Sequence, residues 1–247
     1  MIIIKSNFDI KQIKEAVKIW KKVRTAMYEN AKVGITLKEL DQIASKIIKK
    51  NGAIPTFLNY QGYKGNICTS VNEVIIHGVP DNYKLKDQDL LSIDVGVTYN
   101  KYVCDAAYTI IIGTNNEAEK ISKICYESLL EGIKSAIPGN TIGDISYSIG
   151  KYIIENGYKI LKDFTGHGCG KKMHEDPLIP NIGEPKTGVK LVEGMVLCLE
   201  PMIMTDSNKY IISKEDSWSV ISKNKKLTCH WEHMILITKD GYEVLTE

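Results

Sequence analysis

Two aspartates lie in a segment, LLSIDVGVTYNKYVCDAAYTII (residues 90–111), that is otherwise typical of an apolar β-hairpin. The sequence predicts a two-residue turn at Tyr99–Asn100, because Asn tolerates the positive φ of such turns, and this turn would pair residues whose numbers sum to 199. This register predicts that Asp94 and Asp105 face each other directly, with Cβ atoms roughly 4.5–5.5 Å apart. Two such carboxylates repel each other, and a bound cation or a shared proton would relieve the repulsion. A longer turn, or one Asp facing solvent, would leave the pair without a chemical role.

Three later segments place more metal-binding residue types in apolar or glycine-rich sequence. His167 lies between glycines in TGHGCGKKMHEDP, Glu200 ends the apolar run in EGMVLCLEPM, and we expect Glu232 in HWEHMILIT to lie within a buried strand. Acidic residues in apolar strands are rarely buried without a partner. Four carboxylates and one imidazole suit Mn²⁺, Fe²⁺ or Co²⁺, with Zn²⁺ as a further candidate. Four negative charges balance two divalent ions, which about 3.5–4 Å apart would form a hydrolytic site.

An internal repeat indicates how these residues are positioned. VGITLKELDQIASKIIKKNG from Val33 matches PGNTIGDISYSIGKYIIENG from Pro138 at a constant offset. Each copy predicts a helix that begins at a capping Thr (Thr36 or Thr141) and ends before a glycine at the C′ position. The matching pairs are Gly34 and Gly139, Thr36 and Thr141, Lys46 and Lys151, Ile48 and Ile153, Asn51 and Asn156, and Gly52 and Gly157.

Further helices precede both copies, near Asp9–Tyr28 and Glu117–Ala136, and strands follow them. This order predicts an α+β fold of two similar halves, with helices packed on antiparallel sheet and a site where the halves meet. The predicted strands are Asp89–Thr98, Tyr102–Ile112, Val196–Met204 and His230–Thr238.

Composition limits the partners of this 247-residue chain. The formal net charge is only +2, which favours neither a nucleic acid nor a membrane. Its six cysteines are irregularly spaced without a CxxC pair, which predicts reduced thiols in a cytoplasmic protein. No apolar run is long enough for a signal peptide or a membrane span. Lysines cluster near the N-terminus, and a solvated helix face is favoured over a docking surface for them; they are Lys11, Lys14, Lys18, Lys21 and Lys22.

Taken together and in order, the motifs identify a family. The chain resembles the type I methionine aminopeptidases over nearly its whole length, in NICTSVNEVIIHGVP, SIDVGV, the Asp105 strand, GHGCGKKMHEDP, GMVLCLEPM and WEHMILIT. The resemblance implies the pita-bread (creatinase/aminopeptidase) fold, with pseudo-twofold duplicated helix-helix-sheet halves around a central metal site. It also implies a single catalytic domain over residues 1–247, with pseudo-repeats at approximately 9–112 and 117–247.

The same resemblance assigns roles to individual residues. It implies that His77 and His174 contact substrate and take part in catalysis with Glu200. Asp94 and Glu232 would hold one ion, His167 and Glu200 the other, and Asp105 and Glu232 would bridge them. Tyr60, Tyr63, Cys68 and Trp218 match the lining of a methionine side-chain pocket. The chain departs from the common bacterial pattern at Phe57, Cys169 and Lys171, and at His230 and Trp231, where Gln and Phe or Tyr are usual.

The implied activity is removal of the N-terminal initiator methionine from nascent proteins. Two divalent ions (Co²⁺, Mn²⁺, Fe²⁺ or Zn²⁺) would activate a hydroxide for attack on the first peptide bond. The expected partners are nascent polypeptides with N-terminal Met, with transient ribosome association as a further candidate, and we expect a monomer. The alternative is a proline-directed aminopeptidase or dipeptidase of the same fold, although those usually carry an additional N-terminal domain that this chain lacks. A binding protein without catalysis would have lost metal ligands.

Overall fold

The computed structural model describes residues 1–247. The two helices of the repeat begin and end where their capping threonines and glycines predict. The side chain of Thr36 accepts the backbone N–H of Glu39, whose carboxylate in turn accepts the N–H of Thr36, and Thr141 and Asp144 form the same capping box. Both helices are followed by a glycine of positive φ, Gly52 at 73° and Gly157 at 84° in φ. The helices are α1 (Asn7–Asn30), α2 (Leu37–Lys50), α3 (Asn116–Lys134) and α4 (Ile142–Glu155).

The strands form four antiparallel sheets. In the first sheet β4 pairs with β1, β2 and β5, and the largest sheet has the order β15-β14-β9-β7-β8. The two smaller sheets have the orders β13-β10-β6 and β11-β12-β3. The strands are β1 (Ile54–Pro55), β2 (Cys68–Val71), β3 (Val74–Ile76), β4 (Leu90–Tyr99), β5 (Tyr102–Ile111), β6 (Lys159–Ile160), β7 (Thr165–Gly168), β8 (Glu175–Pro180), β9 (Val196–Leu199), β10 (Met202–Met204), β11 (Tyr210–Ile212), β12 (Val220–Ser222), β13 (Thr228–His230), β14 (His233–Ile237) and β15 (Tyr242–Val244).

Two predicted strands are interrupted. The segment predicted as Val196–Met204 is split into β9 and β10 at Glu200 and Pro201, and the segment predicted as His230–Thr238 is split between β13 and β14 at Trp231 and Glu232. Pro201 has no N–H to donate to a ladder, which accounts for the first interruption. Its carbonyl accepts the N–H of Trp231 at 3.4 Å, so the two breaks lie against each other.

Each helix pair covers a hydrophobic core of its own. Residues of α1 and α2 pack with those of the first sheet, and residues of α3 and α4 pack mainly with the largest sheet and the β13-β10-β6 sheet. Trp20 of α1 is buried, and its indole Nε1 donates to the carbonyl of Ala106 at 3.2 Å, so α1 holds β5 beside Asp105. None of the four helices has the length and hydropathy needed to span a membrane.

Candidate metal centre

Asp94 and Asp105 lie on the same face of the β4–β5 hairpin, but diagonally. Asp94 pairs with Ala107, and Asp105 pairs with Gly96. The prediction of a directly opposed pair was wrong, because the turn residues are Asn100–Lys101, both with positive φ (48° and 69°). A turn placed one residue later shifts the pairing by two, so the side chains still point to the predicted face.

The other three predicted ligands come from the second half of the chain. His167 lies in β7, Glu200 follows β9 directly, and Glu232 lies between β13 and β14 rather than within a strand as predicted. The backbone N–H of Glu232 leaves the strand ladder and donates to the carbonyl of Ala107 at 2.9 Å. The Nε2 atom of His167 is 3.5 Å from Oε1 of Glu200 and 4.0 Å from Oδ2 of Asp105. The fold therefore brings the five predicted ligands to one place.

Buried carboxylate oxygens without partners indicate what this cluster can hold. One oxygen each of Asp94, Asp105 and Glu232 lies within 4.8 Å of the other two. Asp94 Oδ1, Asp105 Oδ1 and Glu232 Oε1 are buried and accept no hydrogen bond. Leaving such oxygens unpaired is costly, and a divalent cation satisfies them without any donor. An oxygen-rich set with one imidazole fits the divalent transition-metal ions predicted from the sequence.

The protonation behaviour of the cluster also favours a cation. Burial raises the pKa of Asp94 to about 7, although a hydrogen bond with Asp105 opposes part of that shift. Burial and then the neighbouring carboxylates raise the pKa values of Asp105, Glu200 and Glu232 well above their ordinary range. Burial lowers the pKa of His167 to about 3, so its imidazole is neutral and able to bind a metal. Positive charge is needed to keep the four carboxyls ionised together.

A thiol that was not among the predicted ligands adjoins them. Cys198 is the cross-strand partner of His167, and its Sγ atom lies within 4.8 Å of ligand atoms of His167 and Glu232. Its Sγ atom donates to the carbonyl of Asp105 at 3.7 Å, and burial raises its pKa. Strand alternation predicts its position, because it lies two residues before Glu200 and therefore on the same strand face. All six cysteines are buried and free, as their spacing predicted.

A cavity of about 200 Å³ lies against the carboxylates. Cys68 is the cross-strand partner of Asp94, which places the cavity wall directly beside the cluster. The rings of Tyr63 and Trp218 meet edge to face at 5.2 Å, and the Tyr63 hydroxyl donates to the carbonyl of Gly78 at 2.9 Å. All predicted pocket residues line the cavity, together with Gln61 and Met173, which were not predicted. Its lining besides the ligands is Phe57, Tyr60, Gln61, Tyr63, Cys68, His77, Met173, His174 and Trp218.

Two further histidines border the cavity as neutral imidazoles. His77 follows β3 with φ of 58°, and its ring lies 6.1 Å from that of Trp218. The ring of His174 is 4.4 Å from the ring of His167, and its Nδ1 lies 3.0 Å from the hydroxyl oxygen of Tyr60. Burial lowers the pKa of His77 to about 4 and also lowers that of His174. Both rings can therefore offer an N–H to a substrate near neutral pH.

A larger hollow of about 610 Å³ lies between β8 and α4, beside Met1 and Ile142. Asp176 is its only carboxylate-bearing residue, and it contains no group of metal-ligand side chains. The chemistry therefore belongs to the smaller cavity.

Comparisons with known proteins identify the family of the chain. A family model described as metallopeptidase family M24 matches residues 11–239. The methionine aminopeptidase of Clostridium acetobutylicum is 42% identical over 100% of this chain and 99% of its own length. Methionine aminopeptidase 1 of Bacillus subtilis is 40% identical with the same coverage, 100% and 99%. The chain belongs to the methionine aminopeptidase group of metallopeptidase family M24. It is accordingly a metal-dependent aminopeptidase, and the predicted family is confirmed.

Solved structures of similar proteins show the same architecture. The crystal structure of methionine aminopeptidase from Rickettsia prowazekii matches with a TM-score of 0.98 and 34% identity, and the match covers 100% of both chains. Prolidase from Pyrococcus furiosus matches with a TM-score of 0.80 and 26% identity, over 99% of this chain but 65% of its own. The α+β pita-bread fold predicted from the sequence is confirmed.

Proposed function

We propose that this M24 metallopeptidase removes the initiator methionine from nascent polypeptides and that its site works with two divalent ions. One observation carries the proposal: an aromatic-lined cavity of about 200 Å³ lies directly against five side chains of metal-ligand type. A pocket of this lining suits an unbranched thioether side chain. Relatives of the same length, including those of Clostridium acetobutylicum and Bacillus subtilis, carry the name methionine aminopeptidase.

The five side chains divide into two overlapping sets. Asp94, Asp105 and Glu232 offer three mutually close oxygens for one ion. His167 and Glu200, whose facing atoms are 3.5 Å apart, would hold the other ion. Asp105 and Glu232 belong to both sets, because Asp105 lies 4.0 Å from His167 Nε2 and Glu232 lies in a group with His167. We propose Mn²⁺, Fe²⁺ or Co²⁺ as the occupants, with Zn²⁺ also fitting the donors.

Bound divalent ions supply a water that is acidic near neutral pH and polarise the carbonyl of the first peptide bond. Glu200, which is ionised when the cations are bound, takes the proton from the attacking water and delivers it to the leaving nitrogen. His174 donates a hydrogen bond to the oxygen on which charge develops. Its Nδ1 faces the hydroxyl of Tyr60 at 3.0 Å, which leaves Nε2 for that task. His77, neutral in its buried position, holds the scissile amide nitrogen.

Specificity for methionine comes from the walls of the pocket. Tyr63 and Trp218 form a rigid aromatic corner, and the single hydroxyl proton of Tyr63 faces the carbonyls of Gly78 at 2.9 Å and Ile67 at 3.1 Å. A slot of this shape accepts a flexible unbranched chain, whereas a β-branched side chain is stiff at χ1 and does not enter it. Apolar fit is worth about 1–3 kcal/mol per methylene, so shorter side chains bind less well.

Metal removal tests the mechanism. The protein would be treated with a chelator, and elemental analysis would confirm that it is metal-free. Hydrolysis of Met-Ala-Ser would then be measured before and after Mn²⁺, Co²⁺, Fe²⁺ or Zn²⁺ is added singly, with Ca²⁺ as the matched control. We expect no hydrolysis in the metal-free sample, recovery with a transition metal, and two ions per chain by calorimetric titration. Full activity in the metal-free sample would refute the mechanism, and saturation with one ion would refute the dinuclear site.

The arrangement of the site also supports proposals on the domain organisation and oligomeric state of the protein. We propose that residues 1–247 act as one catalytic domain, with pseudo-repeats at approximately 9–112 and 117–247, and that the protein works as a monomer, since one chain supplies the whole site. Three lysines of α1 bind partners on their own chain: Lys14 pairs with Glu243 at 2.7 Å, Lys18 with Glu15 at 2.7 Å, and Lys22 with Asn51 at 2.6 Å. These contacts favour a solvated face rather than a docking surface for the lysines of α1. The transient ribosome association that we propose therefore does not depend on the lysine face of α1.

A further inference from the structure

The backbone of His230 is held on both sides by hydroxyl groups of the β4–β5 hairpin. Its N–H donates to Oγ of Ser92 at 3.3 Å, and its carbonyl accepts the hydroxyl of Thr109 at 2.8 Å. The two hydroxyls are themselves hydrogen-bonded at 2.8 Å. His230 also pairs with Met202 across the β10–β13 ladder. The backbone of His230, from which its side chain projects, is therefore held in place.

The imidazole of His230 points at the carboxylate of Glu200, but its Nε2 atom makes no hydrogen bond. Its Nε2 atom is 3.7 Å from Oε2 of Glu200, and the residue is 3% exposed. That nitrogen has no hydrogen-bond partner. Because buried polar nitrogens are nearly always paired, the nearest acceptor is its natural partner. The gap exceeds a hydrogen bond by about 0.7 Å, which a small rotation of the Glu200 carboxylate closes.

Glu200 thus lies between two imidazoles that face different oxygens. His167 faces Oε1 at 3.5 Å, and His230 faces Oε2 at 3.7 Å. His167 also lies in a mutually close group of ligand atoms with Glu232, whereas the carboxylate that the Nε2 atom of His230 faces is that of Glu200. A donor on Oε2 fixes the rotation of the carboxylate and hence the direction in which Oε1 points.

We propose that His230 is a positioning residue. Its Nε2–H donates a hydrogen bond to Oε2 of Glu200 and thereby directs Oε1 toward the ion and the attacking water. The expected effect on kcat rests on the proposed function, whereas the expected effect on metal binding does not. Partners that orient a metal ligand typically change metal affinity or activity by about 10–100-fold when they are removed.

Two amide substitutions provide a matched pair. In His230→Gln the side-chain amide reaches about as far as Nε2 and keeps a donor there, whereas in His230→Asn the amide is one methylene shorter and cannot reach Glu200. His230→Phe keeps the ring but has no donor. Cys229→Ala is the control for repacking, because the buried Cys229 side chain contacts the Thr109 hydroxyl at 3.4 Å and points to the opposite face of the strand from the imidazole.

The measurements are kcat and KM on Met-Ala-Ser at saturating Mn²⁺, the Mn²⁺ dissociation constant by calorimetry, and the thermal midpoint. We expect His230→Gln and Cys229→Ala to stay within about 3-fold of wild type in kcat and metal affinity. We expect His230→Asn and His230→Phe to lose about 10–100-fold in kcat or metal affinity, with KM nearly unchanged.

Equal values for His230→Gln and His230→Asn would overturn the proposal, because only the reach of the donor differs between them. Losses in all His230 variants that follow the thermal midpoint would also overturn it, because they would indicate a packing role. If the wild type cleaved no Met peptide, the proposed function would fail. The difference in Mn²⁺ affinity between the Gln and Asn variants would still decide whether His230 positions Glu200.

Discussion

The backbone N–H of Glu232 donates a hydrogen bond to the carbonyl oxygen of Ala107 at 2.9 Å. Ala107 is the cross-strand partner of Asp94, so this bond joins the carboxylate hairpin of the first half to the ligand segment of the second. The hydroxyls of Ser92 and Thr109 add two more bonds from the hairpin to the backbone of His230. The spacing between carboxylates of the two halves is therefore set by hydrogen bonds to the backbone, not by flexible side chains alone.

Replacing Glu200 by Gln should lower kcat far more than it changes KM. A carboxylate that binds an ion and moves a proton acts chiefly in the transition state, so its loss does little to substrate binding. We expect kcat to fall by more than about 10-fold, equivalent to about 1.4 kcal/mol or more, in steady-state assays on Met-Ala-Ser. Glu193→Gln, which changes an exposed carboxylate, is the control and should behave as wild type. A Glu200→Gln variant that kept over a tenth of wild-type kcat would contradict its role as proton carrier.

Sequence patterns predicted the local features of this fold well. The Thr36 and Thr141 caps and the glycines that follow the helices depend on residues within one or two turns, and all appear where expected. The hairpin register was missed because Lys101 adopts positive φ, which its residue type does not indicate. The interruption at Glu232 depends on Ala107 in a distant strand, and no local pattern reports it.

A buried ion pair joins the N-terminal segment to the loop that carries His174. No local sequence pattern indicates this pair, because its two residues are 170 positions apart. Lys5 Nζ lies 2.6 Å from Oε2 of Glu175, with the two side chains 4% and 3% exposed. The other oxygen of Glu175 accepts the backbone N–H groups of Lys171 and Lys172. Lys5→Met leaves this carboxylate buried without its counter-charge, and we expect the free energy of unfolding to fall by about 3–5 kcal/mol in urea titrations.

Lys18→Met is the matched control for that measurement, because it breaks an exposed pair with Glu15 whose side chains are 66% and 38% exposed. Solvent screens such a pair, so the loss should stay below about 1 kcal/mol. Equal losses in the two variants would contradict a stabilising role for the buried pair.

In the metal-stripped protein the buried carboxyls should make stability fall as pH rises, whereas the histidines, whose pKa values burial lowers, act in the opposite direction. Burial raises the pKa of Asp94 from 3.8 to about 7, so between these values the folded protein binds more protons than the unfolded chain. The stabilising contribution is complete below about pH 3.8 and is lost as pH approaches 7. The raised pKa values of Asp105, Glu200 and Glu232 act in the same direction. The difference in thermal midpoint between Asp94→Asn and the wild type, measured in chelator across this range, isolates the carboxyl contribution, and saturating Mn²⁺ should remove most of its pH dependence.

Asp94→Asn removes one of the responsible carboxyls, so it should reduce the slope of stability against pH. Asp87→Asn, at an exposed carboxylate, should leave the slope unchanged. A difference in thermal midpoint between Asp94→Asn and the wild type that stayed constant between pH 4 and 7, approximately the window of Asp94, would contradict this account.

The central assignment, to methionine rather than to residues before proline, is tested most directly by kcat/KM across a peptide panel. Both classes of M24 peptidase bind metal, so the ligands cannot distinguish them, whereas the aromatic pocket beside the carboxylates can. The panel would contain Met-Ala-Ser and Met-Gly-Met, the same peptides beginning with norleucine, Lys, Asp or Val, and Ala-Pro and Leu-Pro peptides. We expect cleavage after Met, reduced cleavage after norleucine, and none after charged or β-branched first residues. Higher kcat/KM for Ala-Pro or Leu-Pro peptides than for Met-Ala peptides would contradict the methionine assignment and favour a proline-directed enzyme.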